Sequence, residues 1–331
     1  MKFLAFIGID VSKSTIDVYL RNGGYHKVFS NDLEGFKDMV EWLMEILGEV
    51  THGEILFGFE HTGLYSELLT VFLNNHNFPF TVIPGLELKK SLGIRRGKSD
   101  KADSKDIAEY IYEKREKIKL FKMPSKNLEL IRKLASYRER LVKESAAFKT
   151  RLGEYQKIFG KEEFQVYVCS HKEVIDCMDK QIKKIEAETE RLIREDRKLF
   201  RQYHLIQTIK GIGPQTAAMM IVLTKGFTSF RNWRKFASYA GIAPFPNQSG
   251  TFVGRTKTSN LANRRIKSLL TMCAGVAIQY NTEMKLYYQK RISEGKNKMS
   301  TVNIIRNKLI SRIFSVVERD TPYVDVLKYA A

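Results

Sequence analysis

Short apolar runs alternate with segments of helical spacing over the first third of the chain. A run of about four to eight apolar or alternating residues predicts a strand, and an apolar recurrence every three to four residues predicts an amphipathic helix. Strands are therefore predicted at residues 3–9, 15–21, 25–30, 54–60 and 80–84. Helices are predicted from Asn31, over residues 64–75, and from Ser99.

Three meandering strands followed by alternating helices and strands indicate a mixed α/β sheet covered by helices on both faces. This is the element order of RNase H-like folds, although other α/β folds share it. We therefore predict an α/β domain over residues 1–125.

The middle of the chain changes to long, charged, helical segments. Apolar residues recur at helical spacing over residues 127–159 and again over 172–200, and Gly160 marks the break between them. Two such helices predict a helical hairpin or coiled coil. We assign residues 126–200 to this arm, which would space domains or form dimers.

The last part of the chain, residues 201–331, predicts a mainly helical domain. Its GIGP turn at residues 211–214 separates two helical stretches, and Pro214 suits a first helical position. Such a turn either offers backbone N–H groups to a phosphate, as in helix-hairpin-helix modules, or serves as a plain interhelical turn. A loop rich in Pro, Asn, Ser and Gly follows, then a basic helix near Arg264 and an amphipathic helix over residues 302–317.

The charge balance indicates a polyanionic partner. The 56 Lys and Arg against 37 Asp and Glu give a net charge of +19 at pH 7. Nucleic acid is the first candidate, although a ribosomal or chaperone-like RNA binder would carry the same excess.

Cysteine usage and hydropathy argue against several other classes. Cys169, Cys177 and Cys273 have no C-x-x-C spacing, which argues against zinc sites and disulfide frameworks and fits a reduced cytoplasmic compartment. The N-terminal apolar run ends at Asp10, too soon for a signal peptide. No apolar run approaches about 18 residues, so we expect no membrane segment.

Two acids stand at the ends of predicted strands. Asp10 follows the first strand and Glu60 closes the fourth. Because ligands gather at the carboxyl ends of strands in open α/β sheets, these two side chains could face one crevice. Either acid alone would more often be a solvated strand-end residue.

Three aspartates recur every third residue where a helix is expected to begin: Asp100, Asp103 and Asp106. Four cations accompany them: Arg95, Arg96, Lys98 and Lys101. Acids at this spacing share one side of a helix, so their charges would crowd unless metal ions joined them. Helical geometry predicts that Asp100 and Asp103 face inward and that Asp106 lies towards the polar flank. The alternative is favourable placement of acids near a helix N-terminus.

Ser249 is the candidate nucleophile of the C-terminal loop. Gly250 would let the backbone turn sharply and expose the hydroxyl, and Arg255 and Lys257 follow closely. No His is nearby, which argues against a serine hydrolase triad. A Ser-Gly pair is, however, most often a simple turn.

These motifs together resemble a known family. The blocks GIDVSK at residues 8–13, FEHTGLY at 59–65 and KSDKADSKDIAEY at 98–110 resemble the N-terminal part of the DEDD transposases of insertion-sequence family 110. KGIGPQTAAMMI, FRNWRKFASYAGIAP, QSG and GRTKTSNLANRRIKSLL resemble that family's C-terminal part. The match spans nearly the whole chain, with the blocks in order.

The resemblance implies a RuvC-like N-terminal domain whose four acids hold Mg²⁺ or Mn²⁺. They carry over to Asp10, Glu60, Asp100 and Asp103, and the family's serine nucleophile carries over to Ser249. Where the family reads Lys-Thr-Asp-x-x-Asp-Ala, this chain has Ser99 for Thr and Ser104 for Ala. Asp106 stays a possible substitute ligand.

The resemblance also implies partners and chemistry. Donor and target DNA and a structured non-coding bridge RNA are the expected partners. A homo-oligomer, a dimer or tetramer, is expected on separate grounds, because the helical arm separates the acids from Ser249 in the chain. The reaction would be metal-assisted transposition or recombination through a covalent phosphoserine. Two alternatives stay open: a Holliday-junction-type metal endonuclease without a serine adduct, and a non-catalytic RNA-binding protein.

Overall fold

The computed structural model describes residues 3–91, 93, 99–159, 165–230 and 232–325. The chain divides into two compact units, Met1–Met123 and Pro124–Ala331, and the three predicted domains stay a prediction. The second unit contains both the predicted arm and the predicted C-terminal domain. Arg95, Arg96, Lys98 and the expected helix break at Gly160 lie outside the described residues.

The described residues of the first unit form one mixed sheet. Its strands are β1 (Ala5–Val11), β2 (Thr15–Leu20), β3 (Tyr25–Ser30), β4 (Ile55–Glu60) and β5 (Phe80–Ile83), in the order β3-β2-β1-β4-β5. β2 pairs antiparallel with β1 and β3, whereas β1, β4 and β5 run parallel. The predicted mixed sheet is confirmed, and its topology is consistent with a RuvC-like fold.

Helices cover both faces of this sheet. They are α1 (Leu33–Leu47), α2 (Glu67–Asn75), α3 (Gly85–Ser91) and α4 (Asp100–Glu113), with short 3₁₀ turns at His52–Glu54 and Gly63–Ser66. Because side chains alternate along a strand, Ile7 and Ile9 of β1 pack with α1 and α2, whereas Phe6 packs with Ile107 and Ile111 of α4. Asp10 has the same parity as Phe6 and therefore lies on the α4 face.

Two glycines let α4 lie directly on the sheet. Gly8 of β1 and Gly58 of β4 are register partners. A Cβ added to Gly8 would lie 2.1 Å from the Ser104 carbonyl oxygen and 2.4 Å from the Ala108 nitrogen, and one added to Gly58 would lie 2.6 Å from Ile111 Cγ2. The two glycines form a trough, as expected where a backbone approaches a strand closely.

The described part of the second unit is mainly helical. Its elements are α5 (Lys126–Phe159), α6 (Gln165–Glu195), α7 (Arg197–Gln207), α8 (Pro214–Thr224), α9 (Trp233–Tyr239), β6 (Pro244–Ser249), β7 (Phe252–Thr258), α10 (Arg264–Tyr280), α11 (Thr282–Ser293) and α12 (Lys298–Arg319). Its core packs α7, α8, α10 and α12 around Ile206, Met220, Leu270 and Ile310. None of the helices over the described residues combines the length and apolar character needed to cross a membrane.

The predicted helical hairpin is present as the α5–α6 pair. Arg138 pairs with Glu186 at 2.7 Å and Lys149 with Asp179 at 2.8 Å, a pairing order that makes the helices antiparallel. The expected second helix, over residues 172–200, was misplaced at both ends, since α6 runs over Gln165–Glu195. The carboxylate of Asp196 accepts hydrogen bonds from the backbone N–H groups of Lys198 and Leu199, so it caps a new helix, α7.

The predicted loop around Ser249 is instead a β-hairpin, so that part of the prediction was wrong. β6 and β7 pair antiparallel from Pro244–Thr258 to Ser249–Phe252. The prolines of β6 suggested a loop. A two-stranded ribbon, however, offers edge positions throughout, where a missing N–H is tolerated.

Candidate metal centre and serine hairpin

Three of the predicted acids come together among the described residues. Asp10, Asp100 and Asp103 each offer a carboxylate oxygen, and these oxygens lie within 4.8 Å of one another. Asp100 is exposed, whereas Asp10 and Asp103 are partly buried. The structure therefore brings together the strand-end acid and the two helix acids chosen from helical geometry.

Local structure explains why the acids converge. Asp10 follows Gly8 by two residues along β1 and so lies on the same face, towards α4. Ser99 caps α4 by accepting a hydrogen bond from the Ala102 N–H at 3.2 Å, which confirms the helix start predicted near Ser99. Asp100 and Asp103 fall in the first turn, where the positive end of the helix dipole stabilises their charges.

Glu60, the fourth predicted acid, lies beside this cluster but outside it. It follows Phe59, the register partner of Ile9. Glu60 therefore lies beside Asp10 in the sheet, and both side chains leave the sheet on the α4 face. Its carboxylate lies against the backbone of Gly85, since a Cβ there would be 1.8 Å from Glu60 Oε1. Its role as a ligand stays a prediction.

The expected orientation of Asp106 was wrong. Its side chain was predicted on the polar flank, but it is only 4% exposed. This flank of α4 does not face solvent, because Tyr110, one turn after Asp106, is also buried and donates a hydrogen bond to Glu87 of α3. Asp106 is not one of the three clustered acids.

Sequence reasoning missed the contribution of α3 to this site. Tyr110 of α4 donates a hydrogen bond to Glu87 Oε1 at 2.6 Å and so ties α3 to α4. Burial, then the contact with Glu87, raises the pKa of Tyr110 to about 12. The Pro84-Gly85 pair before α3 was the available signal, because such a dipeptide marks a turn.

The donor set of the cluster fits a hard divalent cation. Mg²⁺ prefers oxygen ligands at about 2.1 Å in octahedral geometry, so its ligand oxygens lie roughly 3 to 4 Å apart. Carboxylate oxygens within 4.8 Å reach that spacing with small side-chain rotations. Mn²⁺ suits the same ligands.

Ser249 lies at the turn of the β6–β7 hairpin in the second unit. Ser249 and Phe252 pair, and Gly250 has a φ of +55°. A positive φ at the first central residue is typical of a type II′ turn, and glycine adopts it without strain. Ser249 is exposed, so its hydroxyl is accessible. Lys257 is exposed on β7, and the side chain of Arg255 lies outside the described residues.

Helix α12 holds the base of this hairpin. Asn303 and Asn307 donate side-chain hydrogen bonds to the Ile242 carbonyl at 2.8 and 3.1 Å. Between them Arg306 is buried, and burial lowers its pKa. Its Nε has no hydrogen-bond partner among the described residues.

The GIGP turn and the basic helix are also as expected. Gly213 caps α8 and Pro214 is its first residue. Arg265 of α10 pairs with Glu139 of α5 at 2.9 Å, and burial lowers its pKa. This pair fastens α10 to the helical hairpin, so Arg265 supports the fold rather than presenting a free charge.

Comparison with known proteins identifies relatives that match nearly the whole chain and others that match shorter parts of it. The pilin gene-inverting protein of Moraxella bovis is 26% identical over 326 residues, covering 96% of this chain and 97% of that protein. The insertion element IS110 uncharacterized 43.6 kDa protein of Streptomyces coelicolor is 27% identical over 119 residues, 36% of this chain and 29% of that protein. The insertion element IS116 uncharacterized 44.8 kDa protein of Streptomyces clavuligerus is 27% identical over 136 residues, 41% of this chain and 33% of that protein.

Two family models match successive parts of the chain. A DEDD-type IS110 model described as transposase matches residues 7–156, and a model described as transposase IS116/IS110/IS902 family matches residues 203–289. The first contains the acid cluster and the second contains the serine hairpin. Both describe one family and together cover more than two thirds of the sequence, so this chain belongs to the IS110 family of transposases.

Proposed function

We propose that this transposase cuts and joins DNA strands by metal-assisted phosphoryl transfer through a covalent bond to Ser249. The observation that carries the proposal is the convergence of Asp10, Asp100 and Asp103 at the end of β1. The net charge of +19 supports DNA as the substrate.

The acids of the first unit would hold Mg²⁺ or Mn²⁺ at the scissile phosphate, with Glu60 as the fourth ligand. A bound divalent cation supplies charge neutralisation on the phosphate oxygens. Asp100 and Asp103 lie in the first turn of α4, where the helix dipole offsets part of the repulsion between their carboxylates before a cation binds.

Ser249 would attack phosphorus. A bond forms between its Oγ and phosphorus, the bridging P–O bond to the leaving strand breaks, and the serine proton passes to a base while the leaving oxygen gains one. The phosphoserine conserves the phosphodiester until a second DNA hydroxyl displaces the serine. With no His in the hairpin, a carboxylate is the base we expect.

Assembly as a homo-oligomer would bring serine and acids together on DNA. The serine and the acids belong to different units of the chain. Beside Ser249, Phe252 and Val253 are 61% and 73% exposed, and apolar residues of this kind next to a reactive group suit a surface that is covered in a complex. A dimer or tetramer is the expected form.

A structured non-coding RNA that pairs with donor and target DNA is the proposed guide. The positive charge of the chain supports binding of a second polyanion. RNA transcribed from DNA flanking the gene should copurify with the protein, and its removal should abolish cleavage at the target. Cleavage that persists without RNA contradicts this proposal.

Neutralising one acid of the cluster should abolish strand cleavage. We expect Asp10→Asn and Asp103→Asn each to lower cleavage of labelled DNA by at least about 10²-fold, since each removes a charged ligand. Chelation of divalent cations should have the same effect on the wild-type protein. Asp38→Asn, at an exposed position of α1, is the matched control and should cleave normally.

The assay separates the proposal from its alternatives. A non-catalytic RNA-binding protein would cut no strand with any metal, and a junction endonuclease would cut without a protein adduct. Inversion of a DNA segment is a second candidate outcome of the same chemistry, because the pilin gene-inverting relative matches nearly the full chain. A plasmid with two inverted target sites distinguishes inversion from insertion.

A further inference from the structure

The Glu60 carboxylate occupies space that is open only because residue 85 is a glycine. By strand register Glu60 lies next to Asp10 on the α4 face of the sheet. Its carboxylate nevertheless lies at the start of α3, where a Cβ on Gly85 would be 1.8 Å from Oε1 and 2.5 Å from Cδ. Glu60 is not among the acids whose oxygens lie within 4.8 Å of one another.

We propose that Gly85 provides a second seat for the Glu60 carboxylate, outside the three-acid cluster, and thereby controls how readily Glu60 joins the cluster to bind a divalent cation. The inference rests on the proposed function in one respect, namely that these acids bind the cation. Gly85 is then a positioning residue that acts through Glu60.

The backbone around Gly85 is held in place by its neighbours, so it should not move to accommodate a larger side chain. β5 leads into it, and Ile83 is the register partner of Glu60. The backbone N–H groups of Glu87 and Leu88 donate to the Pro84 carbonyl at 2.8 and 3.2 Å. The Tyr110 hydrogen bond to Glu87, at 2.6 Å, ties the same turn to α4.

Substitution of Gly85 should disturb Glu60 and little else. Gly85 does not adopt a positive φ, so alanine fits the backbone there. The one severe contact of an added Cβ is with the Glu60 carboxylate, the far end of a side chain with three rotatable bonds. The response to Gly85→Ala should therefore be rotation of Glu60 out of the seat and towards Asp10.

The fraction of molecules in which Glu60 has joined the cluster determines the expected change in the apparent dissociation constant for the cation. When the binding-competent conformer is a fraction of the molecules, the apparent dissociation constant is the intrinsic one divided by that fraction. Removing the outer seat raises the fraction, so Gly85→Ala should bind Mn²⁺ about 2- to 10-fold more tightly. Activity need not rise, because strand transfer depends on other steps.

The experiment is a Mn²⁺ titration of the full-length protein, followed by electron paramagnetic resonance of the free ion. Gly85→Ala should tighten binding and Gly53→Ala should not, since a Cβ on Gly53 meets nothing within 4 Å. In a Glu60→Ala background, Gly85→Ala should change nothing, which assigns the effect to the pair.

The outcomes separate this inference from the function on which it rests. Unchanged or weaker binding by Gly85→Ala, with binding weakened by Glu60→Ala, overturns the inference alone. A Gly85→Ala protein that does not fold also contradicts it, because only Glu60 should have to move. Wild-type binding by Glu60→Ala overturns the inference and the four-acid site together, while Asp10→Asn still tests the three-acid cluster.

Discussion

Gly8→Ala should destabilise the first unit by about 3 kcal/mol or more, an effect at the upper end of single substitutions. The added Cβ would lie 2.1 Å from the Ser104 carbonyl oxygen and 2.4 Å from the Ala108 nitrogen. Both atoms belong to the backbone of α4, so no side-chain rotation relieves the contact. The helix must lift from the sheet, and Asp100 and Asp103 then move away from Asp10.

Hydrogen exchange of the full-length protein during urea titration measures this effect. The amides of β1 and α4 should lose protection together in Gly8→Ala. Gly58→Ala should cost less, because its nearest contact is Ile111 Cγ2, which can rotate, and Gly53→Ala should cost little. A Gly8→Ala protein within about 1 kcal/mol of Gly53→Ala, the scale of ordinary surface effects, contradicts direct contact between α4 and the sheet.

Ser249→Ala should abolish the covalent adduct between protein and DNA and lower strand transfer by at least about 10³-fold, as expected for loss of a nucleophile. The wild-type protein, incubated with labelled DNA and Mg²⁺ and then denatured, should retain label on the polypeptide. Thr251→Ala is the matched control, because it removes a neighbouring exposed hydroxyl from the same turn. It should form the adduct normally.

Mixing two inactive proteins extends this test to the assembly. If acids and serine come from different subunits, a mixture of Asp10→Asn and Ser249→Ala should recover part of the activity. Recovery requires one intact acid cluster and one intact serine at the same phosphate. Cleavage by Ser249→Ala alone, without an adduct, would instead support the junction endonuclease.

The features that the sequence predicts well depend on local pattern. The apolar run at residues 3–9 predicts β1 with Asp10 near its end, and a helix start near Ser99 places Asp100 and Asp103 in the first helical turn. Such relations hold within a few residues of each other. The strands and the choice of this aspartate pair therefore follow from the order of residues alone.

The rest depends on contacts between distant segments. The position of the Glu60 carboxylate depends on the missing Cβ at Gly85, and the close approach of α4 to β1 depends on the missing Cβ at Gly8, far back in the chain. Neither contact can be predicted from the periodicity of the sequence. The hairpin around Ser249 was missed because its prolines are tolerated in a two-stranded ribbon, a fact about pairing rather than about composition.

The glycine trough also decides how much the core of the first unit can vary. Where helix and sheet are separated by side chains, each change of core volume alters the separation. Here the α4 backbone rests on the strand backbone at Gly8, so the hydrogen atoms of a glycine set the separation. Variants with other apolar residues at Ile107 and Ile111 should therefore keep the distances from Asp10 to Asp100 and Asp103. The core beneath α4 should accept such substitutions while the acid cluster keeps its geometry.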